Sequence, residues 1–399
     1  MNIACPHCSA LHWYAERLIN SPTSHPLFGT CCNSGKVRLA LLPDPPAPLR
    51  ELFEGDHEQA REFRNNTRQY NSTFAFTSLG VNIDDSFNTN RSGQAPWVFR
   101  IHGELCHRAG SLLPREGERP AYSQLYIYDP RMALDIRSTR NANLRQDTLA
   151  LIQNTLLTTH QYAPIYRFAY NWLSEHGSTL DDGEVTIRLA VDPSRDRRRY
   201  NLPTADDVAV LLLQHGVGDY RDIVLRMRSG PLQRIHEGHP AYLPLHYPIL
   251  FPYGTPGWHR ELRLCDPSDP AHPPLTTSLT QTRFHAFRLH PRLYEFSTLL
   301  RAGRLLQEYI VDAWASSEQE RLRFLRCHQD RLRACVYSGL EDAISGGRDV
   351  DLNELGRLIV LPSSYTGSPR HMQQLFQDSM AIARYFKRVD LFLTMTANP

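Results

Sequence analysis

Four thiols sit in the first 32 residues, as Cys5-Pro-His-Cys8 and the adjacent pair Cys31-Cys32. Two cysteines separated by two residues form a tight knuckle whose sulfurs can meet on one tetrahedral zinc. The second pair is unusual, because neighbouring side chains in an extended segment diverge. His25 or His12 therefore stands as an alternative fourth ligand. A zinc held this way is structural, since a closed thiolate site leaves no open position for a substrate. The competing reading is a set of ordinary surface or core thiols. Cys265, Cys327 and Cys335 have no matching partners and read as buried thiols.

Other candidate chemistry falls away on inspection. Gly29 to Lys36 imitates a phosphate loop, but five residues separate Gly29 from Gly35. Val37 also follows Lys36 where a Ser or Thr would hold magnesium. No nucleotide-binding residue is assigned. His102-Gly-Glu104 and Cys106-His107 suggest a metal site, yet core or loop histidines explain them better. His236-Glu-Gly-His239 has the wrong spacing for a cation-holding pair, and no catalytic residue is assigned.

The elements that would position these residues read as α+β in several domains. Residues 1–45 form a zinc-finger-like module, and Pro43-Asp-Pro-Pro-Ala-Pro48 acts as a linker. Residues 50–180 form a mixed α/β domain. It has a polar helix over 50–70, strands at Trp97–His102 and Ser123–Tyr128, and helical spacing from Leu144 to Trp172. Residues 184–260 form a second mixed region. Strands are expected at Glu184–Val191 and Asp222–Arg228, and a helix over Ala205–Leu213 capped by Thr204. Residues 261–282 read as a linker. Residues 283–399 are mainly helical, with Phe296, Leu299, Leu300, Gly303, Leu306, Ile310 and Trp314 as one apolar stripe. Leu322, Leu325, Leu332 and Val336 form another. Arg357–Leu361 is an expected strand, followed by a helix from Arg370 to Lys387. Val389, Leu391, Leu393 and Met395 then alternate with polar or aromatic neighbours as a terminal strand.

Composition sets the limits. Hydrophobic residues make up 41% of 399 residues, enough for real cores. No apolar run approaches the roughly 20 residues of a membrane span, and the start of the chain does not resemble a signal peptide. Without such a leader, eight cysteines argue for metal ligands or buried thiols over a disulfide framework. The net charge of +2 does not announce a nucleic-acid binder. The cation type is more telling, because Lys36 and Lys387 are the only lysines among 44 basic residues. Arg grips phosphate bidentately and stacks on bases, while a GC-rich genome that favours Arg codons is the plainer source of the bias.

Several ordered pieces resemble one family. They are Cys5-Pro-His-Cys8, Trp13, Glu16 and Cys31-Cys32-Asn-Ser-Gly-Lys36, then Asn71–Phe76, the stretch around His102-Gly103, and Gln124–Asp129. His239–Tyr242, Tyr247–Gly254, Gly257-Trp-His259, Phe296–Arg304 and Tyr309–Trp314 follow, then Leu361–Met372, Gln377–Ile382 and Leu391–Pro399. In that order they resemble the Helitron helicase-like region, the N-terminal part of rolling-circle transposases. One departure is Ala397, where the family usually has Cys before Asn-Pro. The resemblance implies a helical segment leading into an incomplete replication-initiator-like sheet, whose first motif is the terminal strand. It implies a nuclear protein whose full-length parent nicks DNA with a tyrosine and drives a helicase motor, using Mg or Mn and ATP. Those motifs are expected beyond residue 399. The pairs Tyr122/Tyr126 and Tyr166/Tyr170 precede the first motif, so they read as core or surface aromatics. Two rivals remain: the start of an intact endonuclease-helicase, and a co-opted protein- or RNA-binding module.

Weak binding of DNA, expected to be single-stranded, is the activity assigned to the chain itself. Between Arg283 and Arg333 ten Arg face six acidic residues. Arg321, Arg323, Arg326, Arg331 and Arg333 cluster along one expected helix and could meet phosphates. Ser363, Ser364, Ser368 and Arg370 form a second candidate, a loop offering hydroxyl, backbone N–H and guanidinium donors. The plainer reading of that loop is a helix start with Ser368 as cap and Pro369 at the first position.

Overall fold

A computed structural model describes residues 1–83, 99, 101–102, 105–176, 187–189, 223–225, 232–267, 275–328 and 361–387. They form a mixed α+β fold of helices and small sheets. At the N-terminus β1 (Ile3–Ala4) and β2 (Leu11–His12) pair antiparallel, with Ile3 opposite His12. The turn between them closes where Cys5 N–H donates to Ala10 O at 2.8 Å.

The polar helix expected over 50–70 is two helices. In α1 (Ala47–Glu54) Leu49, Leu52 and Phe53 are buried, and α1 ends where Gly55 N–H caps Glu51 O. In α2 (Glu58–Phe74) Phe63, Tyr70 and Phe74 are buried, one helical turn or two apart. Gly55-Asp56 separates the helices, and the His57 ring caps α2 by accepting from Ala60 N–H. A kink at Asn66 interrupts α2.

Short strands follow. β3 (Ser78–Leu79) joins a three-stranded antiparallel sheet, while β4 (Asn82–Ile83) pairs with β5 (Ile101–His102). β6 (His107–Ala109) is the central strand of the three-stranded sheet. The strand expected at Ser123–Tyr128 is instead a 3-10 turn over Tyr122–Tyr126. Leu125, Tyr126 and Ile127 are buried in succession, so the segment has no outward face to alternate with.

Three helices come next: α3 (Pro130–Arg140), capped by Asp129, then α4 (Gln146–Thr159) and α5 (Tyr162–His176). The single helical run read from Leu144 to Trp172 breaks at His160, whose backbone closes α4 and whose ring reaches Pro244 O at 3.2 Å. β7 (Ile187–Leu189) and β8 (Ile223–Leu225) fall inside the two strands expected there and pair antiparallel. β9 (Gln233–Arg234) completes the sheet on β6.

The chain then buries nearly every side chain from Ile235 to Phe251, including the short α6 (Tyr242–His246). α7 (Gln281–Leu289) starts at the Thr280 cap, and α8 spans Arg304–Cys327. α9 (Pro369–Phe386) begins as expected, with Ser368 Oγ accepting from His371 N–H at 3.1 Å and Pro369 at its first position. The chain divides into two compact units, Met1–Ser317 and Glu318–Pro399. No helix of the described residues is long and apolar enough to cross a membrane.

α8 corrects the expected stripe. Ile310 and Trp314 are exposed, Trp314 by 70%. The buried face is Leu305, Glu308, Tyr309, Asp312, Ala313 and Ser316. Half of that face is polar, so a hydrophobic pattern could not find it. Phe296 and Leu299 lie before the helix and are buried as expected. The terminal strand, the Thr204-capped helix, Arg357–Val360, Leu332, Cys335 and Val336 lie outside the described residues.

Candidate metal centre and nucleic-acid interface

Two turns bring the four N-terminal thiols together. The first runs Cys5-Pro-His-Cys8-Ser9, with Ser9 at φ 58° and its N–H donating to Cys5 O at 2.9 Å. The second runs from Cys32 through Asn33, Ser34 and Gly35, all three with positive φ. Cys31 and Cys32 themselves lie in a turn closed by Asn33 N–H donating to Gly29 O at 3.0 Å, so their side chains need not diverge as in an extended segment. The four Sγ atoms of Cys5, Cys8, Cys31 and Cys32 lie within 4.8 Å of one another. Cys5 Sγ is 3.7 Å from Cys32 Sγ, which is 3.8 Å from Cys31 Sγ. Four thiolates about 2.3 Å from one zinc stand about 3.8 Å apart, so the cluster fits that ion. Gly35 N–H points at Cys32 Sγ from 3.2 Å, a donor that steadies a thiolate.

The alternative histidine ligands are not needed. His25 is exposed, and it is not part of the cluster. His12 is buried and stacked on Phe28 at 4.1 Å, with Nδ1 held by Glu16 at 2.6 Å. Hydrogen bonds with Cys31 and Cys32 pull the Cys5 thiol down to about 6. Hydrogen bonds with Cys32, Cys5 and Cys8 push Cys31 up. The other cysteines differ from expectation: Cys265 is half-buried and Cys327 is exposed.

Sequence reasoning missed a second polar cluster, buried in the unit Met1–Ser317. Asp312 of α8 accepts from His107 Nε2 at 2.8 Å and from the Tyr242 hydroxyl at 3.0 Å. His107 Nδ1 lies 3.1 Å from Tyr242 O, so both ring nitrogens face acceptors. Burial lowers the His107 pKa, and the Asp312 charge opposes that. We favour the doubly protonated ring, because a neutral one would set a buried lone pair against an acceptor. Burial pushes the Asp312 carboxyl up, but the His107 charge and hydrogen bond hold it below the usual carboxylate range. His246 stacks on His107 at 4.1 Å, and its Nδ1 contacts Thr77 Oγ1 at 3.1 Å. Glu308 pairs with Arg68 and lies 3.8 Å from His246 Nε2. The sequence signal for it is Glu308 and Asp312 one turn apart in a mainly apolar run.

The remaining titratable motifs have structural roles. His236 Nδ1 accepts from Gly238 N–H, and His239 Nδ1 from Ala241 N–H. Tyr126 and Tyr166 are buried, and Tyr122 is exposed.

The two arginine- and serine-bearing segments meet within Glu318–Pro399. The Arg321 guanidinium donates to Ser364 O at 2.6 Å and lies 5.0 Å from the centre of the Tyr365 ring. The Tyr365 hydroxyl donates to Glu318 at 2.7 Å. Arg321, Arg326, Ser363, Ser364 and Arg370 are all exposed. Arg323 pairs with Glu320 at 3.3 Å, and Ser368 is buried as the α9 cap. Ser368 is therefore spent on the helix start. Arg331 and Arg333 lie outside the described residues.

Residues 284–399 match the family described as Helitron helicase-like domain at N-terminus. The match begins in α7 and takes in α8, the loop before α9, and α9 itself. No curated protein matches the chain significantly.

Proposed function

We propose that this chain belongs to a Helitron-type transposase and serves it as a weak platform for single-stranded DNA, without nicking or helicase activity of its own. One observation carries the reading. Arg321 bridges to Ser364 and Tyr365, so the Arg-rich end of α8 and the loop before α9 form one surface. That surface lies inside the segment matching the Helitron family. Exposed guanidinium groups of Arg326 and Arg370, with the hydroxyls of Ser363 and Ser364, suit phosphate contact without base readout. The thiol cluster would hold a structural zinc that fixes the first 45 residues. The absence from these residues of two histidines flanking a single residue and of a Walker A loop supports a platform without a nicking centre or motor of its own. A nuclear location goes with this reading.

The test is fluorescence anisotropy against single-stranded DNA over a salt series, with a nicking assay in magnesium or manganese alongside. Binding should be roughly micromolar or weaker at physiological salt. Replacing Arg326 and Arg370 by Ala together should lower the log–log salt slope by about 1.4, at about 0.7 per lost contact. Cleavage by the chain would overturn the reading. Stronger binding to RNA than to DNA would favour the co-opted module.

A further inference from the structure

Arg137 of α3 is 2% exposed, and no acidic side chain among the described residues neutralises it. Nη1 of its guanidinium donates to Gln153 Oε1 at 2.6 Å, and Nε donates to Thr73 O at 3.4 Å. The Phe74 and Tyr126 rings lie against it, their centres 4.8 Å and 5.1 Å from the guanidinium carbon. Nη2 is buried and has no hydrogen-bond partner. Burial pulls the group down to about 10, so it stays charged at neutral pH.

That arrangement is costly as structure alone. A buried charge without a counter-ion loses hydration that two ring faces and two neutral acceptors only partly replace. An unbranched apolar side chain such as methionine would fill the same space between the rings. An arginine kept there points to an anion that the surrounding residues do not supply.

A cavity of about 190 Å³ opens at this arginine. Its walls include Ser72 and Thr73 from the last turn of α2, Leu125, and Arg137, Arg140 and Asn141 from the end of α3. No lining residue is acidic. In a planar guanidinium Nη2 shares an edge with Nε. That edge faces Thr73, on the cavity wall, whereas Nη1 reaches Gln153, which is not part of the wall. The unpartnered donor therefore lies on the cavity side. Arg140 is exposed, and Nη2 of its side chain donates to Arg119 O at 3.1 Å. Its other N–H groups and the Ser72 hydroxyl make no hydrogen bond among the described residues. The ends of α2 and α3 bring about half a negative charge each, which two whole guanidinium charges outweigh. The volume is below the roughly 300–1,000 Å³ of sites for drug-sized ligands, so it suits a small ion and not a whole nucleotide.

We propose that this cavity binds a phosphate-type oxyanion, with Arg137 as its buried charge and Arg140 and Ser72 as its exposed donors. The phosphate is either the free ion or the terminal phosphate of a nucleic-acid strand. Every residue of the site belongs to Met1–Ser317, so this proposal and the DNA surface described above can fail separately.

The experiment is calorimetric titration of the full chain with inorganic phosphate at constant ionic strength, chloride making up the balance. Matched oligodeoxynucleotides with a 5′-phosphate and a 5′-hydroxyl form the second arm. Wild type should show saturable binding of phosphate or a preference for the 5′-phosphorylated strand. Arg140→Ala should weaken that binding roughly tenfold by removing a charge-assisted hydrogen bond. Arg137→Met should abolish it. Arg140 is exposed, so Arg140→Ala decides the matter alone if Arg137→Met does not fold. Binding of inorganic phosphate with equal affinity for both oligonucleotides assigns the site to the free ion. A preference for the 5′-phosphate that disappears in Arg140→Ala assigns it to a strand end. Phosphate also raises melting temperatures by exclusion from protein surfaces, but Arg140→Ala would keep a rise of that kind. Arg326→Ala with Arg370→Ala should leave the phosphate titration unchanged. The proposal is overturned if neither phosphate nor the 5′-phosphate is bound, or if Arg140→Ala binds them as tightly as wild type.

Discussion

The thiol cluster and the His107–Asp312 cluster bury polar groups by opposite means. Cys5, Cys8, Cys31 and Cys32 come from one short stretch and are gathered by two local turns. As thiolates they could hold a metal ion from outside the chain. His107, Tyr242, His246, Glu308 and Asp312 come from distant segments and balance one another. A metal bound by the first arrangement would stabilise it. The second depends on the rest of the fold and on where its protons are. The two regions should therefore break under different reagents.

Chelation should have the largest effect. Zinc bound by four thiolates contributes on the order of 10 kcal/mol to small metal-stapled modules. The purified chain should carry a single zinc by atomic absorption, and the four thiols should resist a colorimetric thiol reagent until a strong chelator is added. Cys32→Ser should lose the metal, while His25→Ala should keep it. Rapid reaction of all four thiols before chelation would remove the zinc assignment. The packing of the histidine cluster should survive chelation, as judged by the near-ultraviolet signal of its tyrosines.

Acid should act on the other region. Burial pulls His160 down to about 3 and His285 down to about 4. Both rings stay neutral in the folded chain while their unfolded counterparts take up protons below about 6.5. Their contribution is complete above that pH and is lost as pH falls toward 4 and then 3. By pH 5 each ring should cost about 2 kcal/mol of stability. Asp312 adds a loss at lower pH, because its carboxyl is held below its unfolded value. Urea unfolding at pH 7.5 and pH 5 measures the difference, and His160→Phe should remove about half of it. A pH-independent midpoint would mean that these rings titrate normally in the folded chain.

The same contrast explains what the sequence could and could not reveal. The thiol cluster was legible because its ligands are close in sequence and metal binding constrains their spacing. The Ser368 cap and the Pro369 helix start were legible for the same local reason. His107 and Asp312 are 205 residues apart, and no local pattern links them. The Ser123–Tyr128 segment looked like a strand because its residue types favour one, but burial of consecutive residues overrode the propensity.

α8 gives the smallest and sharpest test of that contrast. An apolar stripe through Leu306, Ile310 and Trp314 was the natural reading, because Glu308, Asp312 and Ser316 look like a wet face. The tertiary fold inverts this by supplying His107, His246, Tyr242 and Arg68 as partners for those acids. Hydrophobic periodicity cannot detect polar groups whose partners lie far away in sequence. Leu305 is fully buried, so Leu305→Ala should cost about 2–5 kcal/mol by removing packed methyl groups. Trp314→Ala, the larger truncation, should change stability by no more than about 0.5 kcal/mol, because its ring is 70% exposed. If urea midpoints showed Trp314→Ala to be the costlier change, α8 would be rotated from the face described, and Asp312 could not reach His107.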